Sequence, residues 1–237
     1  MGFPQFFASM KLLSYRSLIA FLSLLTTIFL ILDLLPVKGS NPFSDVWSLH
    51  ALRTAATFLP RAVSDASDSI ARSQMLLASS AAGVGFGNAG VHLCHGMSYS
   101  VASQVKTHIP KGYEGVDHPL VPHGHSVIVN APTVFRFTGR ADPERHLECA
   151  RILAEARGFP LAAVSKKDAG AILADEISEL MIALDVPIGL GALGYDESDV
   201  ENLAEGTLPQ HRVTKLCPRQ PVEREELFSL FHDALTG

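Results

Sequence analysis

The stretch "SVIVNAPTVFRF", Ser126 to Phe137, decides between an all-helical chain and a mixed one. Its β-branched and aromatic residues suit a strand. A strand needs a partner to take up its backbone hydrogen bonds, and this run is short and isolated among helical segments. Helix or irregular structure is expected across it, and an all-α domain for the chain.

The neighbours on both sides carry a helical period. Upstream, "NPFSDVWSLHALRTAATFL" repeats Val46, Leu49, Leu52, Ala56 and Leu59 at helical spacing, with Ser44 as the expected N-cap and Pro60 as a bend or an end. "DSIARSQMLLASSAAG" starts from an Asp68 cap and grades into Gly and Ala, where another helix or a ligand can come close. Downstream, "ADPERHLECARILAEA" has Asp142 as cap and Pro143 at the first helical position. "DAGAILADEISELMIALDVP" sets Leu173, Ile177, Leu180, Met181 and Leu184 on one stripe, ended by Pro187. "DESDVENLAEG" reads as a short helix closed by Gly206, and "PVEREELFSLFHDAL" turns Leu227, Leu230, Phe231 and Leu235 inward.

Composition narrows the function. At 237 residues the chain has ample apolar content for a core. A net charge of -5 and a pI near 6.0, with no cluster of Lys and Arg, leave no electrostatic footprint for nucleic acid. Cys94, Cys149 and Cys217 are scattered and odd in number, which suits a reducing interior such as cytosol or mitochondrial matrix. The N-terminus differs: "SLIAFLSLLTTIFLIL" between Arg16 and Asp33 is uncharged and apolar. Residues 1–38 are therefore set apart from a helical domain at 39–237. They read as a signal anchor, a cleaved leader or translated non-coding sequence, with membrane contact through residues 17–35.

Potential metal ligands crowd "GFGNAGVHLCHGMSYSVAS", Gly85 to Ser103. On a helix His92 and His95 share a face, as do His95 and Tyr99. His123, presented by the Pro-broken loop ending in "DHPLVPHGHS", would add a third nitrogen. The plainer alternatives are hydrogen-bonded core histidines and a surface imidazole in a tight turn. Cys94 reads as a small buried hydrophobe, and His108, His118 and His125 as solvent-exposed. Asp142 and His146 have the spacing of a ligand pair, but Asp142 is already explained as a helix cap. Asp45 and His50, five apart, face different ways.

The runs "GSNPFSDVWSLHALR", "GVGFGNAGVHLCHGMSY", "DHPLVPHG", "PERHLE" and "GTLPQHRVTKLCP", in collinear order, resemble the C-terminal half of iron-containing alcohol dehydrogenases of the hydroxyacid-oxoacid transhydrogenase type. The resemblance implies a helical, metal-binding C-terminal domain beside an N-terminal α/β domain that binds NAD. It implies His95 and His123 as ligands of a divalent metal, iron or zinc, and Tyr99 near the nicotinamide. His92 becomes a neighbour that lines the cleft or packs. The implied reaction is hydride transfer from 4-hydroxybutyrate to 2-oxoglutarate, giving succinate semialdehyde and 2-hydroxyglutarate, in a mitochondrial setting. The substrate partners are a small hydroxy acid and an oxo acid, and a homo-oligomer is allowed.

Neither the Gly-rich dinucleotide loop nor the family's upstream Asp-x-x-x-His helix is found ahead of these motifs, so the α/β domain is expected to be absent. Two imidazoles without a carboxylate leave the cation's charge uncompensated and the ligand shell incomplete. The chain is expected to be a truncated form that does not catalyse the reaction alone. The alternative is a non-catalytic, membrane-tethered or regulatory helical domain.

Overall fold

The computed structural model describes residues 37–237 except 112 and 114. The N-terminal apolar segment, including the membrane candidate at 17–35, lies outside the described residues. Among the described residues there is no strand, and no helix is long and apolar enough to cross a membrane. Val37 is buried, and the Lys38 N–H donates to the Leu216 carbonyl at 3.0 Å.

Ten α-helices are described. The first two, α1 (Pro42–Ser64) and α2 (Ser69–Ala89), pack along each other. The N-cap of α1 is Asn41 and not Ser44: the Asn41 side chain accepts from the Phe43 and Ser44 N–H groups. Ser44 instead sits at the third helical position, where its Oγ accepts from the Asn41 N–H at 3.0 Å and closes a capping box. Pro60 does not end the helix, which runs on to Ser64. Burial of Leu59 and Ala62 offsets the bond that proline removes, a cost of about 3 kcal/mol. Leu52, Ala56 and Leu59 face inward as the period predicts, but Val46 is 66% exposed, because the first turns of α1 bury Ser44, Ser48 and Ala51 instead. Asp68 caps α2, accepting from the Ala71 N–H at 2.8 Å.

Next comes α3 (Leu93–Ser103), buried on nearly every side. The stretch Ser126–Phe137 is helical: α4 (His123–Ile128) and α5 (Ala131–Thr138) meet at Asn130, whose Nδ2 donates to the Ser126 carbonyl at 2.7 Å. Val127, Ile128, Val129, Val134 and Phe135 are all essentially inaccessible to solvent. Burial all round, with backbone bonds satisfied inside the segment, overrides β propensity.

Helix α6 (Pro143–Ala156) starts at Asp142, which accepts from the Arg145 N–H at 3.1 Å, and α7 (Ala169–Ala183) buries the Leu173, Ile177, Leu180, Met181 and Leu184 stripe. Helices α5 and α7 meet at glycines: a Cβ on Gly139 would lie 2.4 Å from the Gly170 Cα, so no larger residue fits that crossing. Then follow α8 (Val200–Thr207), α9 (His211–Thr214) and α10 (Arg224–Ala234). Gly206 does not close α8. The helix continues to Thr207, which shares a buried 2.9 Å hydrogen bond with Ser100 of α3, and passes into a tight turn at Leu208–Gln210. Along α10, Leu227, Leu230 and Phe231 are buried, whereas Leu235, just past its end, is only half-buried. Most of the core is one cluster with α3 running through it, and Ala51, Ala81 and Ala82 form a small second one between α1 and α2.

Candidate metal centre

Helix α3 positions the first imidazole. His95 lies in its first turn and is 3% exposed. Tyr99 follows one turn later, half-buried, on the same face. His123 is the first residue of α4, placed there by the extended backbone of Pro122, so it belongs to a helix start rather than to an exposed loop. The His95 and His123 rings meet edge to face, centroids 5.5 Å apart at 67°, and the Tyr99 ring lies 6.3 Å from that of His123. Burial, then the neighbouring His95, hold His123 at about 4, well below the usual imidazole range. It is therefore neutral at pH 7, the form that binds metal.

These three side chains share one cavity of about 480 Å³. Its other walls are Phe86, Gly87, Gly90 and Val91 from the end of α2 and the turn after it, and Arg212, Val213 and Leu216 from α9 and beyond. Gly96 lets α9 approach α3: a Cβ there would lie 2.6 Å from the Thr214 methyl group. A larger cavity, about 680 Å³, lies across α5 and α10, but it has no imidazole, and its Arg136 and Arg219 are engaged by Asp175 and by the Phe137 ring and carbonyl. Of the two, only the smaller is lined by imidazoles, whereas the larger is lined by Glu225, Glu226 and Asp233.

The remaining histidines separate by environment. His92 is fully buried as the N-cap of α3, held at about 3 by burial and then by His95 and His146, and it packs without lining the cavity. His146 is a satisfied core histidine. A carbonyl can only accept, so Nδ1–H donates to the Asp142 carbonyl at 2.8 Å, while Nε2 lies 3.0 Å from the Thr138 hydroxyl, whose single proton is shared with the Val134 carbonyl at 2.9 Å. His118 is exposed and paired with Asp117. His108 and His125 are half-buried rather than exposed, because α4 turns His125 inward; burial, then His108, hold His125 at about 4.

The donor set fits a divalent metal in part. Two imidazoles, at least one of them kept neutral, converge on a cavity. Among the described residues, no group of three or more His, Cys, Asp or Glu is placed to hold a metal ion. Arg212 was not singled out by the sequence reading. Its motif "GTLPQHRVTKLCP" carries no periodic or ligand signal, and only the fold brings it to His95 and His123.

The chain belongs to the Fe-containing alcohol dehydrogenase family, whose C-terminal domain matches residues 37–235. It is 57% identical over 198 residues to the mitochondrial hydroxyacid-oxoacid transhydrogenase of Xenopus laevis, covering 84% of this chain and 42% of that protein. It is 52% identical over 199 residues to the probable mitochondrial hydroxyacid-oxoacid transhydrogenase of Dictyostelium discoideum, covering 84% of this chain and 36% of that protein. The chain thus spans about two fifths of the length of these curated relatives. Among solved structures, an alcohol dehydrogenase from Oenococcus oeni superposes with a TM-score of 0.77 at 23% identity, covering 92% of this chain and 52% of that one. At that identity the likeness bears on the fold alone.

Proposed function

We propose that this chain supplies the metal-binding half of an oxidoreductase of the hydroxyacid-oxoacid transhydrogenase type. In this reading His95 and His123 hold a divalent metal, iron or zinc, and Tyr99 faces the nicotinamide of NAD. The observation that carries it is the edge-to-face approach of two imidazoles at the wall of a cavity they share with Tyr99. When bound, the metal supplies Lewis-acid stabilisation of the substrate oxygen during hydride transfer. The chain's own residues set the geometry: His95 is fixed by burial in α3, His123 by the Pro122 turn, and Phe86, Val91 and Leu216 give the cavity an apolar wall.

The proposed substrates are a small hydroxy acid and an oxo acid, 4-hydroxybutyrate and 2-oxoglutarate. The proposed location is mitochondrial, as the relatives' names print, and it suits three buried free thiols. Two imidazoles without an anionic partner leave the ligand shell incomplete, so metal binding by His95 and His123 alone is weak. Zinc titration of the purified chain tests this. Weak, saturable uptake lost in both His95→Ala and His123→Ala is expected. Uptake that survives both changes, or none in the wild type, would sink the reading.

A further inference from the structure

We propose that Arg212 is the specificity residue of this site, binding the carboxylate of the acid substrate while His95 and His123 face its reacting end; the inference rests on the metal-centre reading above. Arg212 lines the cavity that contains His95, Tyr99 and His123. No carboxylate lines that cavity among the described residues, and Arg212, a solvent-exposed residue, is part of its lining. Arg61 is matched to Asp68, Arg157 to Glu176 and Glu179, and Arg224 to Glu201 and Glu205, whereas Arg212 has no such carboxylate partner among the described residues. Arg53, Arg140 and Arg151 likewise show no carboxylate ion pair among the described residues, but of these four only Arg212 lines the cavity.

Its backbone is held by packing, although the side chain is solvent-exposed. Arg212 is in α9, next to Val213 and Thr214, and the absence of a side chain on Gly96 seats Thr214 against α3. The backbone that carries the cation is therefore held by two packed helices, while the exposed side chain can adjust to its ligand. Between the two ends the walls are apolar, with Phe86, Val91 and Leu216 suited to the methylenes of a short chain. A planar guanidinium fork matches a carboxylate in two parallel hydrogen bonds, and a neutral alcohol of the same length gains nothing from it. Arg212 thus selects hydroxy and oxo acids over neutral alcohols.

The test uses the full chain and two probes, 4-hydroxybutyrate and the neutral 1,4-butanediol, with binding read by ligand-detected NMR. The wild type is expected to favour the acid by about tenfold or more, as for a hydrogen bond to a charged group. Arg212→Gln should abolish the preference and leave diol binding unchanged, while Arg212→Lys keeps part of it. Added salt should weaken binding of the acid alone. An acid preference that persists in Arg212→Gln, a parallel loss of acid and diol, or no preference in the wild type overturns the proposal. Zinc uptake is measured on the same variants. Its retention in Arg212→Gln confirms an intact fold, and failure of the His95 and His123 variants to lose zinc would strike the metal reading separately.

Discussion

His146 and the His95–His123 pair make an instructive contrast. His92 lies close enough to feel the charge of both His95 and His146, yet the two environments have opposite chemistry. Both ring nitrogens of His146 are spent on the protein, one on the Asp142 carbonyl and the other on the Thr138 hydroxyl, and the Phe135 ring covers its edge at 5.9 Å. His95 and His123 instead line a cavity beside an arginine and a phenol. A buried imidazole whose hydrogen bonds stay within the protein is a structural part. One whose ring borders a shared space can serve a ligand.

The largest effect that sharpens this contrast is expected at Phe135, which is wholly buried against His146. Phe135→Ala should cost about 3–5 kcal/mol in urea unfolding. His146→Ala should cost about 2–4 kcal/mol through the lost packing and the lost Nδ1–H bond to the Asp142 carbonyl, which keeps only the backbone N–H of residue 146. Weak zinc uptake should be unchanged by it; a His146 variant that lost zinc would break the distinction.

The same histidine sets a pH dependence. Burial lowers its pKa from 6.5, only partly countered by the bond to Asp142, so below 6.5 the unfolded chain binds more protons than the folded one. Its stabilising contribution is complete above 6.5 and declines as the pH falls below that value. Unfolding midpoints measured from pH 7.5 downward should fall for the wild type and fall less steeply for His146→Gln.

Smaller effects belong to the cavity side. Gly96→Ala should cost about 1–3 kcal/mol by forcing α9 off the Thr214 contact, and should weaken acid binding along with it. His123→Ala, at a half-buried site, should change stability by less than about 1 kcal/mol while abolishing zinc uptake. A large stability loss there would place His123 with His146.

Much of the fold was legible in local sequence. The Asp68 and Asp142 caps and the α7 stripe are local signals, carried by a side chain and a backbone group a few residues apart. The miscounts came where a second element intervened. Asn41 outcompeted Ser44 through a reciprocal box, Pro60 was carried by packing, and Gly206 was held in helix by neighbours including Ser100. The exposure expected for His108 and His125 failed because burial of a loop residue depends on what folds over it.

Residue order alone determined that the chain is helical, and matching motifs marked His95, Tyr99 and His123, because periodicity, caps and short motifs are properties of neighbours along the chain. Only the tertiary structure decided that Arg212 shares their cavity and that His92 does not. Those facts depend on how α3, α4 and α9 pack. Packing is fixed by contacts such as Gly96 against Thr214, between residues far apart in sequence, which no local pattern encodes.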